Sequence, residues 1–254
     1  MSAAYETILL EKESGLGLIR FNRPKALNAI NLQMLNDVDA ALTDLETDSS
    51  IRVIAITGTG RAFSAGRDLK EIGAESHVSG ADLWSRLETI EKPAIAGVNG
   101  LCYTGALSML ACFDIVLASE DATFADTHAK YGMLHGGGST QRLRNLVGPQ
   151  WAKQMLFTCE PIDAHEAERI GLVTQVVAPG ELDAAIRTLA DKIARNDAFA
   201  IGVMKRLVND GLKWGSAIGF EFEAREYRKQ RREETEDLRA RTGSFFNEQG
   251  ENNV

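Results

Sequence analysis

The feature that most constrains the fold is a continuous, almost entirely apolar run of sequence IRVIAIT at residues 51–57. A strand of this composition is covered by protein on both faces, which is typical of strands inside a parallel sheet. Shorter runs of the same kind at 93–98 and 114–118 predict two further buried strands. The stretch 105–111 between them contains small and apolar residues and predicts a helix. This order of strand, helix and strand indicates an α/β fold with right-handed crossovers.

The segments outside this central part predict a change in architecture along the chain. Residues 5–12 and 16–22 predict two strands joined by a turn, and residues 31–45 predict a helix with one apolar face. After about Ser139 we expect no further strands. The helices predicted there span 140–147, 150–157, 164–170, 181–195 and 198–211. The charged stretch 216–241 predicts a last helix, whose charged face either contacts solvent or packs on another subunit.

Composition and charge argue against several classes of protein. The net charge of the 254 residues is −8, which is the wrong sign for a surface that binds nucleic acid. No apolar stretch approaches the ~20 residues of a membrane-spanning helix, and residues 1–7 lack the pattern of a signal peptide. Cys102, Cys112 and Cys159 are scattered and predict reduced thiols instead of a disulfide or a zinc site. We therefore expect a cytoplasmic protein without a metal ion and without nucleic-acid or membrane partners.

Four segments place polar or glycine-rich sequence next to the predicted buried elements. The first is FNRPKALNA at 21–29, and the second is RAFSAGRDLK at 61–70. The third is KPAIAGVNG at 92–100, followed by TGA at 104–106. The fourth consists of Phe124, Ala125 and Asp126 and then GGGSTQRL at 136–143. The segment at 61–70 follows a buried strand, which is where α/β proteins place their ligands. In the first segment, Pro24 is predicted to end a strand and Asn28 to cap the next helix.

In this order and at this spacing, the motifs FNRPKALNAI, AFSAGRDLKEI, KPAIAGVNG, the aspartate of FDIVLAS and GGGSTQRL resemble those of the crotonase (enoyl-CoA hydratase/isomerase) superfamily. The resemblance covers about residues 5–250. It implies a spiral of ββα units with a helical C-terminal region, divided into a core with the acyl-CoA site at 1–195 and a trimerisation region at 196–254. It also implies homotrimers, or hexamers built as dimers of trimers. The substrate would be an acyl-CoA thioester, with coenzyme A as part of the substrate and no separate cofactor.

The resemblance places an oxyanion hole at two backbone amides. A thioester carbonyl gains negative charge when it becomes an enolate, and two N–H groups, one of them at a helix N-terminus, stabilise that charge. By resemblance the donors are the amides of Arg67 and Gly105. Glycine at 105 permits a close approach of the ligand to the backbone. The side chain of Arg67 either contacts a coenzyme A phosphate or is simply exposed.

The resemblance also assigns a coenzyme A site, formed by Lys25, Ala26, Ala65, Arg67, Asp68, Leu69 and Lys70. Phosphates attract cations, so Lys25 and Lys70 suit the nucleotide end of the cofactor, although both also fit as surface lysines. The backbone around Asp68 matches the segment that lies against the adenine and pantetheine. Phe245 matches an aromatic residue that lines an acyl or coenzyme A pocket, and packing explains it equally well.

The chain departs from the superfamily at the two glutamates with which its hydratases hold water. Ser108 and His128 stand at those positions. His128 is a candidate general base or acid, or else a histidine held by local hydrogen bonds, while Ser108 is too weak an acid to replace a carboxylate and at most orients water. Asp126 and His135 are neighbouring candidates in the same stretch, and Tyr131 is mainly a packing candidate.

Three functions are compatible with this sequence. The leading hypothesis is an enzyme of the enoyl-CoA hydratase/isomerase type in which His128 moves the proton, since isomerisation needs only one base and the oxyanion hole. The second is an acyl-CoA hydrolase or decarboxylase, and the third is a catalytically silent acyl-CoA-binding protein. Residues 71–85 and the C-terminal helices are expected to shape the acyl pocket, with 75–80 as a mobile lid.

Overall fold

The computed structural model describes residues 5–71, 79–136 and 138–232, which divide into two compact units with the boundary between Arg206 and Leu207. Ten strands lie in this part of the chain: β1 (Ile8–Glu13), β2 (Leu16–Phe21), β3 (Val53–Gly58), β4 (Ala62–Ser64), β5 (Ala94–Val98), β6 (Leu101–Tyr103), β7 (Ile115–Ser119), β8 (Thr123–Ala125), β9 (Ile162–Asp163) and β10 (Gln175–Val177). The α-helices are α1 (Leu32–Thr47), α2 (Gly80–Thr89), α3 (Gly105–Leu110), α4 (Ser139–Thr158), α5 (Ala164–Arg169), α6 (Leu182–Ala194), α7 (Ala198–Trp214) and α8 (Ser216–Arg232). Helix α7 crosses the boundary between the units.

The strands form two sheets, and from β3 to β8 successive strands belong alternately to one sheet and the other. The six-stranded sheet has the order β1-β2-β3-β5-β7-β10, and the four-stranded sheet has the order β4-β6-β8-β9. Only the β1–β2 and β8–β9 pairs are antiparallel. Three times in succession a strand of the larger sheet is followed by a strand of the smaller sheet and then a helix, as in β3-β4-α2, β5-β6-α3 and β7-β8-α4. This repetition confirms the predicted spiral of ββα units.

Helices cover both faces of the larger sheet and explain why its central strands are apolar throughout. Every residue of β3 and β5 is buried. On one face Gly17 lies so close to α1 that an added Cβ would be 2.3 Å from a methyl carbon of Leu45. On the other face a Cβ on Gly97 would be 2.4 Å from Ile186 of α6. Both helices therefore pack directly on the backbone of the sheet.

The most apolar and most periodic elements follow the sequence prediction. Strands β1, β2, β3, β5 and β7 and helix α1 occur where they are expected, and α3 lies between β5 and β7. Helix α4 is broken at Gly148, whose φ of 76° and ψ of 163° are not helical, and Pro149 follows. This break separates the two helical stretches that the sequence predicts at 140–147 and 150–157.

Two expectations about local structure are wrong. Strands do occur after Ser139, because β9 and β10 pair with β8 and β7 at the sheet edges; their two and three residues are too short to show a period. Asn28 does not cap a helix, since the N-cap of α1 is Asn31, whose side chain accepts from the Met34 amide at 3.0 Å. Asn28 is fully buried and holds a loop instead.

Some predicted features lie outside the described residues. These are the proposed lid at 75–78, the C-terminal part of the charged helix after residue 232, and Phe245. Within the described ranges, none of the helices combines the length and the hydropathy needed to cross a bilayer.

Candidate functional site

The first and second sequence segments lie side by side along the backbone. The amide of Ala65 donates to the carbonyl of Leu27 at 2.9 Å, and the amide of Ile30 donates to Gly66 at 2.8 Å. The amide of Asp68 then donates to the carbonyl of Ile30 at 2.9 Å. A parallel bridge of this kind uses the groups of residues 66 and 68 and leaves the N–H between them outside the ladder. The Arg67 amide has no acceptor within the described ranges.

The amide of Gly105 lies next to this free N–H group. Gly105 is the first residue of α3, where amides have no partner inside the helix, and Thr104 before it makes no side-chain cap. A Cβ built on Gly66 would lie 2.9 Å from the Gly105 nitrogen, and a Cβ built on Gly105 would lie 3.3 Å from the Arg67 nitrogen. Gly66 also has a φ of +91°, which disfavours any other residue. Two unpaired amides are thus brought together by glycine at both positions.

Hydrogen bonds of Thr104 join the start of α3 to the segment after β8. Its amide donates to the carbonyl of Ala125 at 2.8 Å, and its Oγ1 lies 2.6 Å from Oγ1 of Thr127. The amide of Thr127 donates to the same Oγ1 of Thr104 at 3.3 Å. Gly105 and His128 each follow one of these threonines, so the free amide and the histidine lie next to a direct contact between the two segments.

Asp126, His128 and His135 form a cluster at this site. Asp126 is 2% exposed, and its Oδ1 accepts from the amide of His128 at 3.1 Å and lies 3.0 Å from His128 Nδ1. Nε2 of His135 lies 3.5 Å from the same oxygen, and the two imidazole centroids are 4.2 Å apart. Nδ1 of His135 lies 3.1 Å from Oγ of Ser139. Burial lowers the pKa of His135 against the opposing effect of Asp126, and His128 adds to the lowering.

The position of His128 leaves one of its ring nitrogens available. Nδ1 is held by Asp126, while Nε2 has no partner within the described ranges. Every buried side-chain nitrogen and oxygen of those residues has a hydrogen-bond partner, so this unpartnered nitrogen reaches solvent. A histidine that accepts or donates protons in catalysis typically has one ring nitrogen held by a carboxylate and the other accessible to a substrate. His128 has this arrangement.

Ser108 and Tyr131 contribute less to this arrangement. Ser108 is partly exposed in α3, and its hydroxyl donates back to the carbonyl of Thr104 at 3.3 Å. Among the described residues it makes no hydrogen bond to His128. Tyr131 is 63% exposed at the end of a short 3-10 turn, so it is not packed as the sequence suggests.

The residues assigned to coenzyme A gather where the first two segments meet. Lys25 and Ala26 lie in the 3-10 turn Pro24–Ala26, and Leu69 and Lys70 lie in the turn Leu69–Glu71. The side chains of Lys25, Arg67 and Lys70 are exposed, and Leu69 is 62% exposed. Ala65 pairs with Leu27 through its amide. The pairing therefore places side by side the two segments that carry these seven residues.

Sequence reasoning missed Arg23, which ties these segments together. Its guanidinium donates to the carboxylate of Asp68 at 3.0 Å and to the carbonyl of Ala29. Burial acts to raise the pKa of Asp68, but the amide of Lys70 and the guanidinium of Arg23 hold it below its usual value. Arg23 lies within the FNRPKALNA motif, but nothing in the sequence indicates which acidic residue it pairs with.

Comparison with known proteins gives consistent matches. Residues 11–251 match the family model described as Enoyl-CoA hydratase/isomerase. The Short-chain-enoyl-CoA hydratase of Clostridium acetobutylicum is 39% identical over 227 residues, covering 85% of this chain and 87% of that protein. The Crotonyl-CoA hydratase of Syntrophomonas wolfei is 38% identical over 222 residues, covering 83% of this chain and 84% of that protein.

Solved structures match over nearly the whole chain. A structure titled as subunit I of an enoyl-CoA hydratase from Geobacillus kaustophilus has a TM-score of 0.88 at 31% identity, covering 96% of both chains. A structure of enoyl-CoA hydratase from Bacillus anthracis also has a TM-score of 0.88, at 27% identity, covering 96% of this chain and 97% of that one.

Proposed function

Because this chain belongs to the enoyl-CoA hydratase/isomerase family, we propose that it is an enzyme that binds an acyl-CoA thioester and transfers a proton beside the thioester carbonyl. The observation that carries the proposal is the meeting of two unpaired amides, those of Arg67 and Gly105, next to a histidine held by a buried carboxylate. These are the two components that an enolate mechanism requires, a set of donors for the oxygen and a base for the carbon.

The two amides form the oxyanion hole of this mechanism. When a proton leaves the α-carbon of a thioester, negative charge moves to the carbonyl oxygen. Backbone N–H groups that are already oriented stabilise that charge without reorganising, and an amide at a helix N-terminus adds the helix dipole. Gly105 can take this role because it is the first residue of α3, and the first amides of a helix have no acceptor within the helix. The Arg67 side chain is not needed there.

His128 is the proton-transfer group in this proposal. Asp126 holds its Nδ1 at 3.0 Å and fixes the ring, so Nε2 is the nitrogen that exchanges a proton with the substrate. One base in this position is sufficient for moving the double bond of an enoyl thioester, because the same group removes the proton at one carbon and returns it at another. Ser108 then serves at most to orient water.

Hydration of the double bond is the second candidate reaction, and His135 favours it. Hydration needs one group that accepts a proton from water and another that donates one to the α-carbon. His128 stands at one of the two glutamate positions of the superfamily's hydratases, and His135 brings a second titratable group into the same cluster; both approach Oδ1 of Asp126, at 3.0 and 3.5 Å.

The coenzyme A moiety binds across the paired segments in this proposal. The amines of Lys25 and Lys70 and the guanidinium of Arg67 are exposed and free to meet phosphate groups. Asp68 acts structurally, because its carboxylate is committed to Arg23. The backbone at Ala26, Ala65 and Leu69 provides the surface for the adenine and pantetheine.

We also propose that the chain assembles as a homotrimer or a dimer of trimers. Exposed apolar side chains in the C-terminal unit support this, among them Leu212, Trp214, Ile218 and Phe220. Light scattering coupled to size exclusion measures the mass directly, and a monomer would contradict the proposal. A cytoplasmic location and the division at residues 195 and 196 stay predictions.

The reaction is tested by incubating the protein with crotonyl-CoA, a 3-enoyl-CoA and a malonyl-type CoA and analysing products by mass spectrometry. We expect either a 3-hydroxyacyl-CoA or a shifted enoyl-CoA. Consumption of the malonyl-type CoA alone, or release of free coenzyme A, would show a decarboxylase or hydrolase instead. Binding of all three without turnover would show a silent acyl-CoA-binding protein.

A further inference from the structure

We propose that Asp126, His128 and His135 form a binding site for one first-row divalent metal ion of the Zn²⁺ or Co²⁺ type. The sequence gives no reason to expect a metal here, since residues 126, 128 and 135 do not stand at a known spacing of metal ligands. The structure brings one ligand atom of each residue to within 4.8 Å of the other two.

The ligand separations suit a common ion. Oδ1 of Asp126 lies 3.0 Å from Nδ1 of His128 and 3.5 Å from Nε2 of His135. Two ligands that each bind an ion at ~2.1 Å are about 3.0 Å apart at a right angle and about 3.4 Å apart at the tetrahedral angle. Both histidine contacts of Oδ1 are therefore already spaced as metal ligands, and the two imidazole nitrogens lie within 4.8 Å of each other.

The charge balance of the cluster also favours a cation. Asp126 is 2% exposed, and its carboxylate contacts only the amide and ring of His128 and the ring of His135 in the described part of the chain. No lysine or arginine of that part reaches it. A carboxylate removed from water is stabilised by an adjacent positive charge, and a divalent ion between the two imidazoles supplies it.

A second hydrogen-bond layer supports the ligand role of His135. Its other ring nitrogen, Nδ1, lies 3.1 Å from Oγ of Ser139, and that hydroxyl also reaches the carbonyl of Gly136 at 3.5 Å. When the Ser139 hydroxyl donates to the carbonyl of Gly136, its oxygen can accept a hydrogen bond from Nδ1–H of His135. In this tautomer Nε2 of His135 carries no proton, and its lone pair is available to the cluster. Metal-binding histidines are commonly fixed in this way through their second nitrogen.

The ligand set indicates which ions bind. Two imidazoles and one carboxylate suit Zn²⁺, Co²⁺, Ni²⁺ or Fe²⁺, whereas Mg²⁺ and Ca²⁺ prefer oxygen ligands. Three protein ligands leave at least one position for water or for a ligand oxygen. The hydrogen bond between Thr127 and Thr104 joins the segment that carries this cluster to the start of α3, where the free amide of Gly105 lies. The metal-bound and metal-free forms therefore offer different chemistry at one site, although the binding itself does not depend on the proposed reaction.

The test uses the full chain, freed of any histidine tag and dialysed against a chelator. Titration with Zn²⁺ in a calorimeter and with Co²⁺ under an absorption spectrometer measures stoichiometry and coordination. We expect one ion per chain and cobalt d–d bands typical of four or five ligands. Mg²⁺ is expected to give no heat of binding at the same concentrations.

Variants identify the ligands. His135→Ala and His135→Gln should weaken Zn²⁺ binding by at least about tenfold, and Asp126→Asn should do so as well. His165→Ala is the matched control, because His165 is an exposed histidine on α5. Circular dichroism verifies that each variant is folded. Zinc binding that is absent, or that is unchanged in both folded His135 variants, would overturn the inference.

The inference and the proposed function fail separately. Metal binding is measured without substrate, and the proposed proton transfer by His128 is measured on chelator-treated protein with enoyl-CoA. Turnover without metal binding leaves the function and removes the metal site, and metal binding without turnover does the reverse.

Discussion

The imidazole of His128 takes its orientation from the residue two positions earlier. The carboxylate of Asp126 accepts hydrogen bonds from the backbone amide and from the ring of His128. Residues 126–128 therefore form a compact turn in which the carboxylate and the ring are adjacent. The sequence identified both residues as candidates, and they would face one side only if a strand continued to residue 128. Strand β8 ends at Ala125, and the contact comes instead from a local side-chain-to-backbone hydrogen bond.

Replacing His128 by alanine should abolish most of the turnover. Loss of a positioned acid–base group typically lowers the rate by about 10²–10⁴-fold, and the fold should be retained because the ring lies at the edge of the core. Steady-state kinetics with the active enoyl-CoA measures the effect, with His165→Ala as a control that stays near wild type. Unchanged kcat in His128→Ala would exclude this residue as the base.

Replacing Gly105 by alanine tests the close approach of the two amides. The new Cβ would lie 3.3 Å from the Arg67 nitrogen, in the space that the thioester oxygen should occupy. We expect kcat/KM to fall by about 10²-fold or more, which is the loss typical for an oxyanion donor. Arg67→Ala keeps the amide and should retain kcat, with an effect confined to KM. A Gly105→Ala enzyme as fast as the wild type would contradict the assignment.

Among the elements, the paired segments at 23–30 and 65–68 depend on one buried side chain. Asn28 is fully buried with a φ of 53°, and its amide donates to the carbonyls of Thr59 and Ala62 at 3.0 and 2.7 Å. Its carbonyl accepts from the amide of Arg23 at 2.8 Å. The sequence shows an asparagine near a predicted helix start, which favours a cap, and cannot show that Asn31 takes that role.

Asn28→Ala should destabilise the protein because three hydrogen bonds made by a buried side chain lose their partner. We expect the free energy of unfolding to fall by about 1–3 kcal/mol. Chemical denaturation measures this, with Asn196→Ala as a control at an exposed asparagine. A loss below the error of the measurement would mean that the loop holds its shape without this side chain.

The ion pair between Arg23 and Asp68 should make the stability of these segments depend on pH. The pKa of Asp68 is lower in the folded chain than its ordinary value, so its ionised form stabilises the fold. This contribution is complete above the ordinary pKa of an aspartate and is lost as the pH falls through the lower, folded value.

The prediction is checked by comparing wild type with Asp68→Asn. The wild type should be more stable at pH 7, and the difference should shrink toward zero at a pH below both pKa values. Added salt should also reduce it. A difference that is the same at both pH values would show that the charge of Asp68 does not contribute.

For the whole molecule, the sequence was sufficient for five strands of the larger sheet, but not for its edge strand β10 or for the smaller sheet. Strands β3 and β5 are buried on both faces, and their continuous apolar sequence predicts them. Strands β4, β6 and β8 have three residues each, and each of them follows a strand of the larger sheet after a short turn. Such short strands carry no period of their own and are defined by pairing across the chain, so only the resemblance to a known fold indicated them.

The same limit applies to the site. Sequence motifs identified Arg67, Gly105 and His128, but the spatial relation among them comes from β6–β8 pairing and from the contact of Thr104 with Thr127. His135 joins the cluster from a loop ten residues after β8, which no local pattern predicts. Pairing between strands that are distant in sequence therefore determines which of the candidate residues lie close together.

The central claim is that the amides of Arg67 and Gly105 bind one thioester oxygen, and a crystal structure with an unreactive acyl-CoA analogue tests it most directly. The account predicts that the oxygen lies about 2.7–3.1 Å from both amide nitrogens, with His128 Nε2 facing the α- or β-carbon. A thioester oxygen out of reach of either amide, or an acyl group bound in a different cavity, would contradict it.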